Sequence, residues 1–269
     1  MIYVDFIGLI RECNRCPGGK DSIRRILQSA FVTPDSRVLE IGSNTGFTSL
    51  EIARVARCNV VGVDLAASAV AESRRLLSTD HPSVQARVQF EVADAGALPF
   101  SRESFDLVVA GGATGFVADR RRALSEFHRV LRPWGFLSVT TLVYHTDPPA
   151  DLLASLSAIL GFRLEPHDRH YWTRMIASDG QFELYHAETH GFRLPSANDR
   201  AAYVEYFLQK PHIAGWSKDA KDAIRRRWSE TLDSFAENHR YLDYFLGIFR
   251  KRYLAEEPEL FLRDTERGA

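Results

Sequence analysis

The sequence predicts an α/β fold: a mostly parallel seven-stranded sheet with helices on both faces and a helical cap inserted after strands five and six. Three observations predict it. A glycine-punctuated turn joins a short apolar run, Val38 to Ile41, to a segment from Phe47 whose apolar positions Leu50, Ile52 and Ala53 shift toward helical spacing. A second apolar run, Asn59 to Asp64, ends in an acid eighteen positions beyond Gly46. Strands and helices then alternate five times within about 110 residues, the pattern of a doubly wound parallel sheet.

In chain order, a helix is expected over Tyr3 to Asn14, with Phe6, Leu9 and Ile10 on one side, and another over Asp21 to Ala30. Tyr3 and Phe6 either close over a reaction site or pack on the sheet. Pro34-Asp35 turns the chain into strand one. The turn after that strand needs residues that tolerate positive φ, which Gly42 and Gly46 supply and Asn44 imitates. The helix that follows presents free N–H groups above the strand end. Strand two ends at Asp64, an acid placed either to accept the hydroxyls of a ribose or to cap the helix from Ala67 to Leu77, for which it stands slightly early. Strand three runs from Val88 to Ala93 and closes with Asp94-Ala95; strand four runs from Phe105 to Ala110 and ends in Gly111-Gly112. A helix from Asp119 to Leu131 carries His128, read as structural, and Arg132-Pro133-Trp134-Gly135 forms a loop into strand five.

Beyond strand five, Pro148-Pro149 opens a helix over Ala150 to Leu160 that Gly161 ends. A short helix, His170 to Ser178, stops at Asp179-Gly180 before the alternating strand Phe182 to Glu188. Helices over Ala197 to Leu208 and Lys218 to Asn238 precede the last strand, Tyr241 to Phe249. The chain divides into N-terminal helices (1–32, a candidate lid), a core (33–145), cap insertions with strand six (146–240), the last strand (241–252) and a tail (253–269) that reads as poorly ordered. The aromatics Tyr171, Trp172, Tyr203, Tyr206, Phe207, Trp216, Trp228 and Phe235 either line a pocket under the cap or, the preferred reading for most, form the cap's own core.

At 269 residues, 45% hydrophobic and with a net charge of −1, the chain is an ordinary globular protein with no electrostatic signature of a nucleic-acid or anionic-membrane partner. It has no apolar run near eighteen residues, and its first residues lack a secretion signal, so a cytoplasmic protein, compatible with a homo-oligomer, is expected. Cys13 and Cys16 have metal spacing, but no second pair or nearby histidines complete four ligands, so no metal is expected. They read as reduced cysteines near the end of the first helix, and the odd total of three argues against a disulfide framework.

The series Leu39-Glu40-Ile41-Gly42-x-Asn44-x-Gly46, Val61-Gly62-Val63-Asp64, Ala93-Asp94-Ala95 with Leu98-Pro99-Phe100, Phe105-Asp106-Leu107-Val108 and Arg129-Val130-Leu131-Arg132-Pro133-x-Gly135 resembles the class I S-adenosylmethionine-dependent methyltransferases, in the branch shared with ubiquinone and menaquinone methyltransferases. The resemblance covers about residues 35 to 145. It departs at Asn44, where the family has a glycine, and at Trp134, where it has the first glycine of Pro-Gly-Gly. It implies a Rossmann-like sheet whose last strand is antiparallel, with S-adenosylmethionine as cofactor. Glu40, Gly42, Ser43, Asn44 and Gly46 would surround its amino-acid end, Asp64 and Leu65 its ribose, Asp94 and Ala95 its adenine, and Ala110 and Gly111 the path to the methyl group. NAD, which related folds bind with a glycine turn and an acid, is the competing cofactor; the Asp94 motif favours S-adenosylmethionine.

An oxygen acceptor needs a general base, for which histidine suits; an amine needs mainly desolvation and loss of a proton. His145, just past strand five, is the first candidate and His239 the second, with His186 beside it; Tyr3, Phe116 and Tyr144 are candidates for the substrate wall or lid. The expected activity is methylation, at oxygen or nitrogen, of a small metabolite or natural product. The alternatives are a relative that keeps the cofactor for other chemistry, and a non-enzymatic binding protein, against which the three acids Glu40, Asp64 and Asp94 count.

Overall fold

The computed structural model describes residues 2–13, 15–178 and 180–253; the proposed tail beyond Tyr253 and the Asp179 part of the helix stop lie outside the described residues. The core strands are β1 (Arg37–Ile41), β2 (Asn59–Asp64), β3 (Val88–Val92), β4 (Phe105–Ala110), β5 (Leu131–Tyr144), β6 (Phe182–Gly191) and β7 (Leu242–Lys251). They form one seven-stranded sheet in the order β3-β2-β1-β4-β5-β7-β6. The five strands read as alternating with helices pair in parallel, and β7 runs antiparallel to both β5 and β6.

Helices α2 (Gly19–Ser29), α3 (Phe47–Ala56) and α4 (Ala67–Ser78) cover one face of the sheet, where Ile23, Ile26, Leu50, Ile52 and Val70 pack with Val38, Val60 and Phe90. Helices α6 (Arg120–Val130) and α8 (Arg169–Ala177) cover the other, where Phe127, Trp172 and Ile176 meet Leu39, Phe105 and Phe245. The short helix α5 (Pro82–Gln85) leads into β3. His128 lies edge-on to Phe182, ring centroids 5.6 Å apart, in keeping with a structural role.

The cap has its own core. Helices α9 (Ala197–Leu208), α10 (Pro211–Ala214) and α11 (Lys218–Asn238) follow β6, and α7 (Ala150–Leu160) follows β5. Val204, Phe207, Ile213, Ile224 and Trp228 pack together, and Phe6, Ile7 and Ile10 from α1 (Tyr3–Leu9) join them. The two N-terminal helices thus belong to different cores: α1 to the cap, α2 to the sheet. Phe207 and Trp228 are cap core, Trp216 packs against it, and Tyr206 is 62% exposed.

Two local expectations are corrected. The first helix ends at Leu9, not Asn14, because Arg11 adopts a left-handed φ of 50° and the chain closes a Schellman turn, with Glu12 N–H donating to Ile7 C=O and Arg11 N–H to Gly8 C=O. Glu12, buried and accepting from the Tyr203 hydroxyl at 2.8 Å, holds that turn, and Cys13 and Cys16 lie in the loop beyond it rather than on a helix. The predicted loop before strand five is also absent: β5 starts at Leu131, and Trp134, at φ 63°, marks a bulge that shifts the β4–β5 register between Phe105↔Leu131 and Leu107↔Phe136. Trp134 stacks under the Arg250 guanidinium and edge-on to Tyr253.

Trp228 is in ring contact with Tyr3, Phe6, Tyr203 and Phe207, so it links α1 to the cap. Trp228→Ala should lower stability by about 3–5 kcal/mol, the range for a buried large-to-small aromatic change, read as a lower urea midpoint; an unchanged midpoint would mean that the cap core adds nothing to global stability.

Candidate active site

The turn after β1 bends so sharply that left-handed backbone occurs at Gly42 (φ 70°), Asn44 (φ 45°) and Gly46 (φ 89°). A Cβ on Gly42 would lie 2.3 Å from the Ala113 Cβ, so a bare α-carbon there lets this turn approach the one after β4. The Asn44 N–H donates to Asp64 Oδ2 at 2.8 Å, and the Ala66 N–H donates to Oδ1 at 2.9 Å. Asp64 therefore ties the glycine turn to the end of β2. It does not cap α4, whose N-cap is Ala66 without a side-chain bond. Each of its oxygens keeps a second lone pair for a hydroxyl. Beside it Leu65 is 70% exposed.

Asp94 shapes its own turn by accepting the Gly96 N–H at 2.8 Å through Oδ1, which leaves Oδ2 without a partner among the described residues. The Ala93 N–H donates to the Asp64 carbonyl at 3.1 Å and fixes the two acid-bearing turns side by side, with Ala95 buried behind them.

Glu40 is buried at the other side of the glycine turn. It accepts from the Ser49 hydroxyl in the first turn of α3, and Ser49 and Thr48 act to lower its pKa. Burial outweighs both and pushes its carboxyl up to about 7. Nearby, the hydroxyls of Ser43 and Thr45 are buried with no hydrogen-bond partner among the described residues. A buried acid poised for a cation, orphaned hydroxyls and a helix start suit an amino-acid head; Asp64 suits a ribose and the open Asp94 Oδ2 an exocyclic amine. The residues present fit S-adenosylmethionine.

Above β1, β4 and β5 lies a cavity of about 410 Å³. Glu40, Gly42 and Gly111 form its floor, and Ala110 is buried beneath. Tyr144, Asn238 and His239 form one wall: the Tyr144 hydroxyl donates to Asn238 Oδ1 at 3.1 Å, and the His239 ring stacks on Phe192 at 4.6 Å. Burial holds the His239 imidazole below its usual pKa, so the ring is neutral at pH 7. Phe116 closes another wall edge-on to Phe162 at 5.3 Å, and Tyr3 meets Phe235 edge-on at 5.3 Å. A second cavity of about 810 Å³, bounded by α1, α4 and the cap, shares Tyr3, Arg15 and Phe235 with the first.

Of the predicted base candidates, His239 lines the cavity and His145 does not. His145 is exposed, its N–H donating to the Tyr241 carbonyl, because the chain turns outward once β5 ends. His186 is on the edge strand, bonded to Glu188 at 2.8 Å. The sequence reading missed His167 and Arg120. His167 lines the cavity, stacked on Tyr171 at 3.6 Å, and burial, then the charge of Arg120, lowers its pKa. Its backbone carbonyl accepts the Tyr144 N–H at 3.0 Å, which pins it beside β5; no local pattern announces that pairing. Cys16 lines the cavity too, its thiol pushed up to about 12 by burial and by Glu40, and so is unreactive.

Residues 39–139 match the family model described as a methyltransferase domain. The chain is 31% identical over 137 residues to a demethylmenaquinone methyltransferase of Clavibacter sepedonicus, a match covering 50% of this chain and 52% of that one. A match to an uncharacterized protein of Haemophilus influenzae is 25% identical over 178 residues, covering 65% and 70% of the two chains. Among solved structures, that of the MccD protein superposes with a TM-score of 0.76 at 22% identity, covering 89% of this chain and all of the other. The chain thus spans about half the length of the curated methyltransferase it matches.

Because the Glu40 carboxyl titrates near 7 in the fold, against 4.5 ordinarily, the folded chain keeps a proton there that the unfolded chain has lost. Its stabilising effect is complete below the ordinary range and disappears as pH rises through about 7. Glu40→Gln should therefore raise stability at pH 8, by about 3 kcal/mol in urea unfolding, and match the wild type at pH 5; an equal offset at both pH values would refute the titration.

Proposed function

We propose that the chain, whose residues 39–139 match a methyltransferase domain and resemble the class I S-adenosylmethionine-dependent methyltransferases, transfers a methyl group from S-adenosylmethionine to a small-molecule acceptor held in the 410 Å³ cavity. The observation that carries this is that Glu40 and Gly42 of the cofactor turn and the wall containing His239 face one cavity. When bound, the cofactor supplies an activated methyl group on a sulfonium. The protein's part is to hold, orient and exclude water. Asp64 accepts the ribose hydroxyls, Asp94 the adenine amine, and Glu40, once ionised, faces the α-ammonium. His239 Nδ1 or Nε2 takes the proton from an oxygen or nitrogen acceptor, its ring held by Phe192. The aromatic pairs Tyr3–Phe235 and Phe116–Phe162 shield the cavity from water. We place the activity in the cytoplasm, which the three free cysteines support; no helix among the described residues is long and apolar enough to cross a membrane.

Calorimetry with S-adenosylhomocysteine, and NAD as control, should show micromolar binding of the former alone, and Asp64→Ala should abolish it without lowering the unfolding free energy by more than about 1 kcal/mol. Unchanged affinity in that variant would sink the cofactor assignment. Label from methyl-labelled cofactor should appear in a product with S-adenosylhomocysteine released; release of 5′-methylthioadenosine instead would mean that a different carbon of the sulfonium is transferred. His239→Asn should lower kcat roughly 10²-fold with S-adenosylhomocysteine affinity intact. The wild-type kcat should fall only as pH drops below the depressed imidazole pKa; a flat acid limb would remove His239 from the reaction.

A further inference from the structure

Arg120, the first residue of α6, is fixed before any ligand arrives. Its guanidinium lies over the Trp172 ring at 5.2 Å, donates to the Tyr171 hydroxyl at 3.1 Å, and donates to the Thr114 and Gly115 carbonyls at 3.3 and 3.4 Å. All of these partners are neutral, and among the described residues no carboxylate pairs with it. Several arginines on this chain's helices and strands are paired with acids, among them Arg25, Arg54, Arg75, Arg129 and Arg225. Arg120 instead lines the 410 Å³ cavity.

A second arginine, Arg163, exposed, lines the same cavity and makes no hydrogen bond or ion pair among the described residues. It follows Phe162, which packs edge-on against Phe116, and Phe116 ends the short turn whose Thr114 and Gly115 carbonyls hold Arg120. Both arginines line the one cavity. Two acids belong to the same stretch of chain: Glu165, 3.6 Å from His167, and Asp168, which accepts the Tyr171 N–H. Burial lowers the His167 pKa first and the charge of Arg120 next, while Glu165 and Asp168 act to raise it. The remaining acid of the cavity, Glu40, belongs to the cofactor turn and accepts from Ser49 of α3.

An immobilised guanidinium with neutral partners, in a partly buried apolar cavity, matches an oxyanion by charge and by its forked donors, and it is ordered without any further loss of freedom on binding. We propose that the acceptor carries an anionic group, a carboxylate or a phosphate monoester, that docks on Arg120 with support from Arg163. This rests on the methyl-transfer reading of the cavity. The anion fixes the acceptor at the α6 end and leaves its nucleophile toward Gly111 and His239. Arg120 is then a specificity residue that acts through substrate binding.

The test uses full-length protein saturated with S-adenosylhomocysteine and three matched probes: benzoate, phenyl phosphate and neutral benzamide, followed by calorimetry and ligand-observed NMR. At least one anion should bind tenfold or more tightly than benzamide, more weakly as salt is raised. Arg120→Ala should remove that preference, Arg120→Lys should keep part of it, and Arg163→Ala should reduce it by a smaller factor. S-Adenosylhomocysteine affinity should stay constant across these variants, which shows that each is folded. Which anion wins separates the carboxylate from the phosphate source. Benzamide binding as well as both anions, or an anion preference that survives Arg120→Ala, overturns the proposal. Wild-type protein that binds no S-adenosylhomocysteine would instead overturn the methyltransferase reading beneath it.

Discussion

A carboxyl buried at the end of β1 organises what lies above the sheet. Glu40 takes the Ser49 hydroxyl in the first turn of α3, so strand and helix are tied across a helix start whose own N-cap, Gly46, has no side chain. That bond fixes how α3 leaves the sheet and so how far the intervening turn must bend. The bend requires left-handed backbone at Gly42, Asn44 and Gly46. It also aims the Asn44 amide at Asp64, so that two acids on neighbouring strands hold one turn from both sides. The arrangement is tight, since a Cβ on Gly46 would come within 2.5 Å of the Phe90 ring. The positions proposed to hold the cofactor are thereby set by the packing of the sheet.

The 410 Å³ cavity is built differently. It lies at a seam: its floor comes from strand ends, one wall from the junction of α11 with β7, another from the segment after α7, and its rim from α1. Residues from several separate stretches of chain meet there, each held by its own element. Glu40 lies in the floor of that cavity, and Arg120, Arg163, His167 and Glu165 are among the residues that line the rest of it.

How much could be read from the sequence follows from this difference. The glycine turn, the acids Asp64 and Asp94, and the five alternating strands were legible because each depends on residues close together in the chain. The antiparallel β7 came with the family resemblance. The end of α1 was not legible: Arg11 turns left-handed because Glu12 is drawn to Tyr203, 191 positions away. His145 stood next to strand five in sequence yet points to solvent, whereas His167, twenty-two positions later, returns to that strand through a single backbone bond. Helix periodicity could not separate an aromatic that packs within the cap, such as Phe207, from one that faces the cavity, such as Phe235.

The membership of α1 in the cap core has a consequence for how the chain comes to be folded. Phe6, Ile7 and Ile10 leave the ribosome long before Val204, Phe207 and Trp228, the side chains that will bury them; Lys210 reaches back 200 positions to the Ile10 carbonyl. Closing so long a loop is entropically tolerable once the sheet has brought its ends together, but slow before then. The parallel strands β1 to β5 precede the cap in the chain, whereas β7, which pairs between β5 and β6, follows it, so α1 waits with its apolar face uncovered while both the cap and the sheet's inner antiparallel strand are still to be made. The chamber that the cap walls comes into being only when the first and the late segments of the polypeptide have met.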